Sequence, residues 1–212
     1  MKLLNLHNNR REVFLFCRDD KNKQIILKDK SFYPFFYEPD PEGLEMGYDG
    51  VKLKKIIVSE PYDVPKYRSS SSYSSDILFT KNYLIHKIDK IDKTNIKYLF
   101  WDIETQAKEL PTYTDPKYPI SCISIYNSLY KKIQTWFLSE FKTEEEMLMS
   151  FAKYIKEEAP DLLLAWNSDN FDFPYCYFRY KLLLKKDFSK DISPIGDNRK
   201  YFKIDDLFYP AG

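Results

Sequence analysis

An uncharged run, Tyr98-Leu99-Phe100-Trp101, leads straight into Asp102-Ile103-Glu104, and this junction constrains the chain more than any other segment. Residues two apart on a strand point to one face, so the triplet sets two carboxylates side by side at the end of a buried-type strand. Such a pair is costly beside a core unless something positive neutralises it, and hard divalent cations such as Mg²⁺ or Mn²⁺ do so with oxygen ligands. A strand end that merely reaches water accommodates the same triplet.

The downstream sequence supplies the rest of a domain. Residues 120–126 and 132–138 read as two more strands joined by a hairpin around Asn127-Ser128. Thr143 followed by Glu146 is a capping box, and Glu144, Glu145 and Glu146 suit the positive end of a helix. Met147, Leu148, Phe151, Ala152 and Ile155 form its single apolar face, which ends before Pro160. Residues 161–166 (DLLLAW) read as a short apolar strand, and a second helix is expected over 173–186. Three strands, helix, strand, helix predicts a mixed sheet containing a parallel pair with a helical crossover, where sites gather at the carboxyl ends of strands. The polar turn Asn167-Ser168-Asp169-Asn170-Phe171-Asp172 lies at such an end. If strand 161–166 runs parallel beside strand 98–104, Asp172 faces Asp102 and Glu104. The alternatives are a helix N-cap for Asp172 and a turn former for Asn167.

The first third is different in kind. Residues 11–18 and 24–28 read as strands around the polar turn 19–23, residues 31–37 as an extended aromatic segment bent at Pro34, and 51–60 as another strand. Residues 39–50 and the serine-rich 69–75 read as loops, followed by a helix over about 76–87. The polar stretch 87–95 (KIDKIDKTN) lacks a core pattern and suggests a boundary near residue 95. It also divides the charge: 17 Lys/Arg against 14 Asp/Glu before residue 96, and 16 against 18 after it. With a net charge of +1 there is no global field to draw in nucleic acid, and 27 lysines against 6 arginines make any phosphate contact mainly a matter of lysine point charges. At 212 residues with 43% apolar content the chain holds enough for two modest cores, which excludes wholesale disorder. No apolar run is long enough to span a bilayer, so no membrane partner is expected, and three scattered cysteines argue against a disulfide framework or a zinc site. A reduced, cytoplasmic protein is the expectation.

Asp102-Ile103-Glu104-Thr105, followed some 60 residues later by Asn167-x-x-x-Phe171-Asp172, resembles the first two exonuclease motifs of family B DNA polymerases. Residues 32–37, 60–68 and 76–85 are similar to the amino-terminal domain of archaeal-type members, so the resemblance covers most of the chain. It implies an amino-terminal template-strand-binding domain over 1–95 and a carboxy-terminally incomplete, ribonuclease H-like 3′–5′ exonuclease domain over 96–212. It implies further that Asp102, Glu104 and Asp172 hold two divalent metals at the 3′ end of a DNA strand, and that Asn167 and Phe171 help seat the terminal nucleotides. For Phe171 a core aromatic at a helix start is the alternative. In archaeal members a pocket near the segments matched by Pro34, Val64 and Arg68 checks the template for uracil. The tyrosine that this pocket uses near the amino terminus is replaced here by Leu6 or His7, and Arg68 equally suits a surface phosphate contact.

The family's third exonuclease motif, Tyr-x-x-x-Asp, normally lies about 100 residues beyond the second, but only 40 residues follow Asp172. Tyr201 and Asp205 fit the bare pattern but fall in a segment, 200–208, that reads as a strand rather than a helix, and the match is taken as coincidental. With no palm, fingers or thumb, the expected partners are DNA and a carboxy-terminal polymerase part supplied by another chain or a longer one, in a prokaryote or a virus infecting one. The alternative is a non-catalytic DNA-binding or polymerase-docking module that keeps the fold.

Overall fold

The polar turn 19–23 closes as its composition requires. The Asp19 carboxylate accepts from the backbone N–H groups of Lys21 and Lys23 at 2.9 and 2.8 Å, and Asn22 takes a left-handed φ of 63°. In the computed structural model, which describes residues 2–196, 202–203 and 206–207, strands β1 (Lys2–Asn9), β2 (Glu12–Arg18) and β3 (Gln24–Asp29) form an antiparallel sheet in that order. No strand is expected from the sequence at β1, whose run KLLNLHNN alternates poorly. It pairs along the whole of β2, with the register shifting between Leu3 and Asn5.

The chain divides into two compact units, Met1–Asn95 and Ile96–Gly212. In the first, a second antiparallel sheet contains β4 (Phe35–Pro39), β5 (Glu45–Met46) and β6 (Lys52–Ile57), with β6 central. Pro34 sits just before β4, where its missing N–H disturbs no ladder, and its carbonyl accepts from Val58 N at 3.0 Å. A 3₁₀ turn, Pro61–Asp63, runs into the short helix α1 (Val64–Tyr67). Helix α2 (Phe79–Lys87) begins three residues later than the sequence suggests, after the extended backbone of Leu78. Val13, Phe32, Phe35 and Tyr83 form the core of this unit. The Tyr83 hydroxyl donates to Asp29 at 2.8 Å, and burial together with that bond pushes its pKa up to about 12.

The second unit carries the mixed sheet: β7 (Tyr98–Thr105), β8 (Ile120–Asn127), β9 (Lys132–Phe137), helix α3 (Glu144–Glu158), β10 (Leu162–Leu164), helices α4 (Phe173–Leu184) and α5 (Phe188–Ile192). The strand order is β10-β7-β8-β9, with only the β10–β7 pair parallel. Helix α3 is capped as expected, the Thr143 hydroxyl accepting from Glu146 N at 3.3 Å; the return bond of the box reaches the N–H of Lys142 instead of Thr143. Its apolar face meets Leu99, Trp101, Ile103, Ile123, Ile125 and Trp136 in one core.

Two expectations are corrected. Strand β7 is not buried on both faces: Leu99, Trp101 and Ile103 are buried, while Tyr98, Phe100, Asp102 and Glu104 line an open face. The helices cover only one side of the sheet, so an apolar strand needs alternation here rather than continuous burial. The expected single strand over 200–208 is instead two two-residue strands, β11 (Phe202–Lys203) and β12 (Asp206–Leu207), paired antiparallel. Tyr201 and Asp205 lie outside the described residues. Among the described residues no helix is long and apolar enough to cross a membrane.

Candidate active site

Asp102 and Glu104 project from the carboxyl-terminal half of β7 onto the open face of the sheet, opposite Ser124 and Cys122 of β8. Being exposed, neither carries the burial cost that the apolar approach run suggests; the buried acid of the site is Asp172, only 2% exposed. After β10 the backbone makes a π-helical turn, Ser168–Asp172, before α4 begins. The Asn167 carbonyl gathers the turn by accepting from the N–H groups of Asn170, Phe171 and Asp172 at 3.2, 2.8 and 3.4 Å. Single-turn π segments are rare and recur at functional sites, and this one ends on the buried Asp172. Its carboxylate makes no capping bond to α4. Burial and, after it, the charge of Asp102 push its pKa up, while the backbone N–H groups of Ile103 and Asn167 bond it and pull the other way. The parallel register, Leu162 beside Tyr98 and Leu164 beside Phe100, brings these two acids from 70 positions apart to one strand end.

A second set of bonds fixes the loop that follows β7. Arg179 of α4 donates to both carboxylate oxygens of Glu144 and, through Nη1, to the carbonyl of Pro116 at 2.9 Å. Glu144 also accepts from Ile120 N at 2.9 Å, and the Tyr175 hydroxyl donates to Tyr118 O at 2.7 Å. The start of β8 is thereby tied to the helix that carries Asp172 at its N-terminus. Glu144 stands in the first turn of α3, where the sequence reading puts it as a helix-dipole partner, and is in addition half of a buried ion pair.

Not every residue singled out in the sequence joins this constellation. Among the described residues no three His, Cys, Asp or Glu side chains stand close enough to hold a metal ion, so Glu104 shares the face of Asp102 without closing a three-carboxylate group. Asn167 is exposed at the turn, and Phe171 is half-buried against Tyr175, with ring centroids 5.3 Å apart, at the margin of the core. In the first unit Pro34 is buried, Val64 heads α1, and the exposed Arg68 closes α1 and donates to Ser75 O at 3.3 Å. The sequence reading overlooks Trp166. Counted there as the apolar end of a strand, it lies just past β10 and is 91% exposed beside Asn167. An indole at the rim of a polar turn is the available hint.

Residues 126–204, which include the turn carrying Asn167, Phe171 and Asp172, match the model of the DNA polymerase family B exonuclease domain. The DNA polymerase of Thermococcus gorgonarius is 33% identical over 141 residues, 59% of this chain and 18% of the relative. That of Pyrococcus glycovorans is 30% identical over 174 residues, 74% of this chain and 22% of the relative. The chain is homologous to the amino-terminal and exonuclease region of family B DNA polymerases. As a homologue of that region it spans under a quarter of the length of either named relative. The solved structure of the family B DNA polymerase from the hyperthermophilic archaeon Pyrobaculum calidifontis superposes with a TM-score of 0.71 at 18% identity, over 92% of this chain and 34% of that one. The β-rich first part and the mixed sheet thus have the architecture of the polymerase region that the sequence resembles, and a non-catalytic docking module is not the reading these matches favour.

Proposed function

We propose that residues 96–212 form the greater part of a metal-dependent 3′–5′ proofreading exonuclease site, that residues 1–95 contact the template strand, and that the polymerase activity resides in a carboxy-terminal remainder or partner chain. One observation carries the nuclease reading: Asp172, buried at the end of a parallel crossover, faces the negative charge of Asp102. Two acids held together against their mutual repulsion suit a cation, and an all-oxygen donor set suits Mg²⁺ or Mn²⁺. Asp102 and Asp172 would hold it, with Glu104 from the same strand face.

The chemistry that divalent cations held by these acids would supply is activation of an attacking water and charge stabilisation at the 3′ oxygen leaving the terminal phosphodiester. The chain's own residues do the positioning. The Ile103 and Asn167 N–H groups orient the Asp172 carboxylate, and the Arg179–Glu144 pair fixes the start of β8 beside β7. Asn167, Phe171 and the exposed Trp166 line the approach for the last nucleotides, where an aromatic face contributes about 1 to 3 kcal/mol per stacked base. The open sheet face supports the proposed need for a remainder: Phe100, Ile133, Phe137, Leu162 and Leu164 are exposed beside Asp102 and Glu104, an apolar surface suited to being covered. At the first unit, Pro34, Val64 and Arg68 are proposed to meet a template base.

The test is digestion of a 5′-labelled single strand with Mg²⁺ or Mn²⁺, by this chain alone and together with a carboxy-terminal polymerase chain. Slow or no digestion alone, weak Mn²⁺ binding lost in Asp102→Ala, and a gain of nuclease on pairing are expected. A complex without nuclease gain ends the split-site reading. Robust Mg²⁺-dependent digestion by this chain alone, abolished by Asp102→Ala, shows the site to be complete without a partner.

A further inference from the structure

In the first unit, at the end of the first hairpin, Asn9, Arg10, Arg11, Glu12, Lys30 and Glu60 line a cavity of about 480 Å³. Three cations face two carboxylates there. Arg11 is held in place by stacking, its guanidinium carbon 3.9 Å from the centre of the Tyr33 ring, and Lys30 stands 3.4 Å from Glu12. Glu60 is the anomaly. Its Oε2 is enclosed and accepts no hydrogen bond among the described residues, a costly state for a carboxylate oxygen.

A bare polyanion answers only half of this lining, since phosphate satisfies the cations but repels Glu60. A ligand that carries a phosphate and an N–H donor answers both. We propose that the cavity binds one nucleotide of a single DNA strand, with its phosphate among Arg10, Arg11 and Lys30 and the amino edge of its base toward Glu60. Carboxylates pair well with the cytosine N4 amino group. The N3–H of thymine is flanked by two carbonyl oxygens that repel a carboxylate, so the site prefers cytosine to thymine. This inference rests on the reading that the chain works on DNA. It uses residues of the first unit only, so it and the nuclease assignment fail separately.

The test is fluorescence anisotropy with labelled (dC)10 and (dT)10 on the full chain in EDTA, across a salt series. Arg10 and Lys30 are exposed, and Arg10 sits at a left-handed φ of 52° that asparagine tolerates, so the double variant Arg10→Asn, Lys30→Gln keeps the fold. It should weaken (dC)10 binding roughly ten- to a hundredfold near 0.1 M salt and flatten the log–log salt slope by about 1.4, or about 0.7 for each lost phosphate contact on a single strand. Glu60→Gln should erase the preference for (dC)10 over (dT)10, because a carboxamide pairs with either base. Unchanged affinity and slope in the double variant overturns the phosphate site. A wild-type chain without the cytosine preference, a preference that survives Glu60→Gln, or equal tightening of both oligonucleotides overturns the base contact.

Discussion

Arg179 and Glu144 meet fork to fork across 35 positions of sequence, Nε to Oε1 at 2.8 Å and Nη2 to Oε2 at 2.6 Å, and both are buried. The bonds from Glu144 hold the Arg179 guanidinium even more firmly protonated than usual. Truncating one partner strands the other charge. Arg179→Ala should therefore destabilise the second unit by about 3 to 5 kcal/mol in urea unfolding, whereas the double replacement Arg179→Met, Glu144→Met should recover most of that loss. A loss under about 1 kcal/mol in the single variant contradicts the buried-pair account.

Asp172→Asn removes a buried charge that faces Asp102. With no metal present the variant should be more stable than the parent by on the order of 1 kcal/mol, while its Mn²⁺ binding, followed by calorimetry, falls below detection. Lower stability instead would mean that the N–H bonds to the Asp172 carboxylate outweigh its burial and repulsion.

The readable parts of this chain are those with local causes. Thr143 and Glu146 announce α3, its apolar face names the core, and Asp19 with Asn22 announces the turn between β2 and β3, because each involves residues within a few positions of one another. Glu144 shows the limit. Its place in the first helical turn announces the dipole contact, but its ion-pair partner lies on another helix, and no periodicity carries that information. The alternation of β7 was hidden for the opposite reason: Tyr98 and Phe100 are apolar on the face that the helices leave open, so composition resembled two-sided burial. The pairing of Asp102 with Asp172 was legible as a consequence of the parallel crossover; the π turn that delivers the second acid has no sequence mark beyond its polarity.

Stability of the first unit should fall at both pH extremes through one bond. Tyr83, raised to about 12 when folded, ionises near 10 in an unfolded chain, so its contribution is complete below about pH 10 and is lost as pH climbs toward 12. Burial pushes its acceptor Asp29 up, but hydrogen bonds from Ser31 and Tyr83 outweigh this and hold the carboxyl below the usual range. That contribution is present above about pH 4 and disappears in acid. The stability gap between the parent and Tyr83→Phe, about 1 to 2 kcal/mol at pH 7, should stay level to pH 9 and vanish by pH 12. A gap independent of pH contradicts the assignment.

Trp166→Ala should leave thermal unfolding unchanged, since the side chain is 91% exposed. Single-strand affinity in the presence of Ca²⁺ should drop by about 1 to 3 kcal/mol if a base stacks on the indole, with Trp166→Phe keeping most of it. Equal affinity in all three proteins removes Trp166 from the site.

The topology also sets an order of events. β7, β8 and β9 join through neighbouring hairpins, but β10 reaches β7 only after α3 has crossed the sheet, and three residues make that parallel contact. Pairing across so long a loop bears the largest closure entropy in the unit and comes late. During refolding, then, the meeting of Asp102 with Asp172 is expected among the final steps, and a chain caught before it has its hairpins and its core helix but not yet the two facing acids of the proposed site.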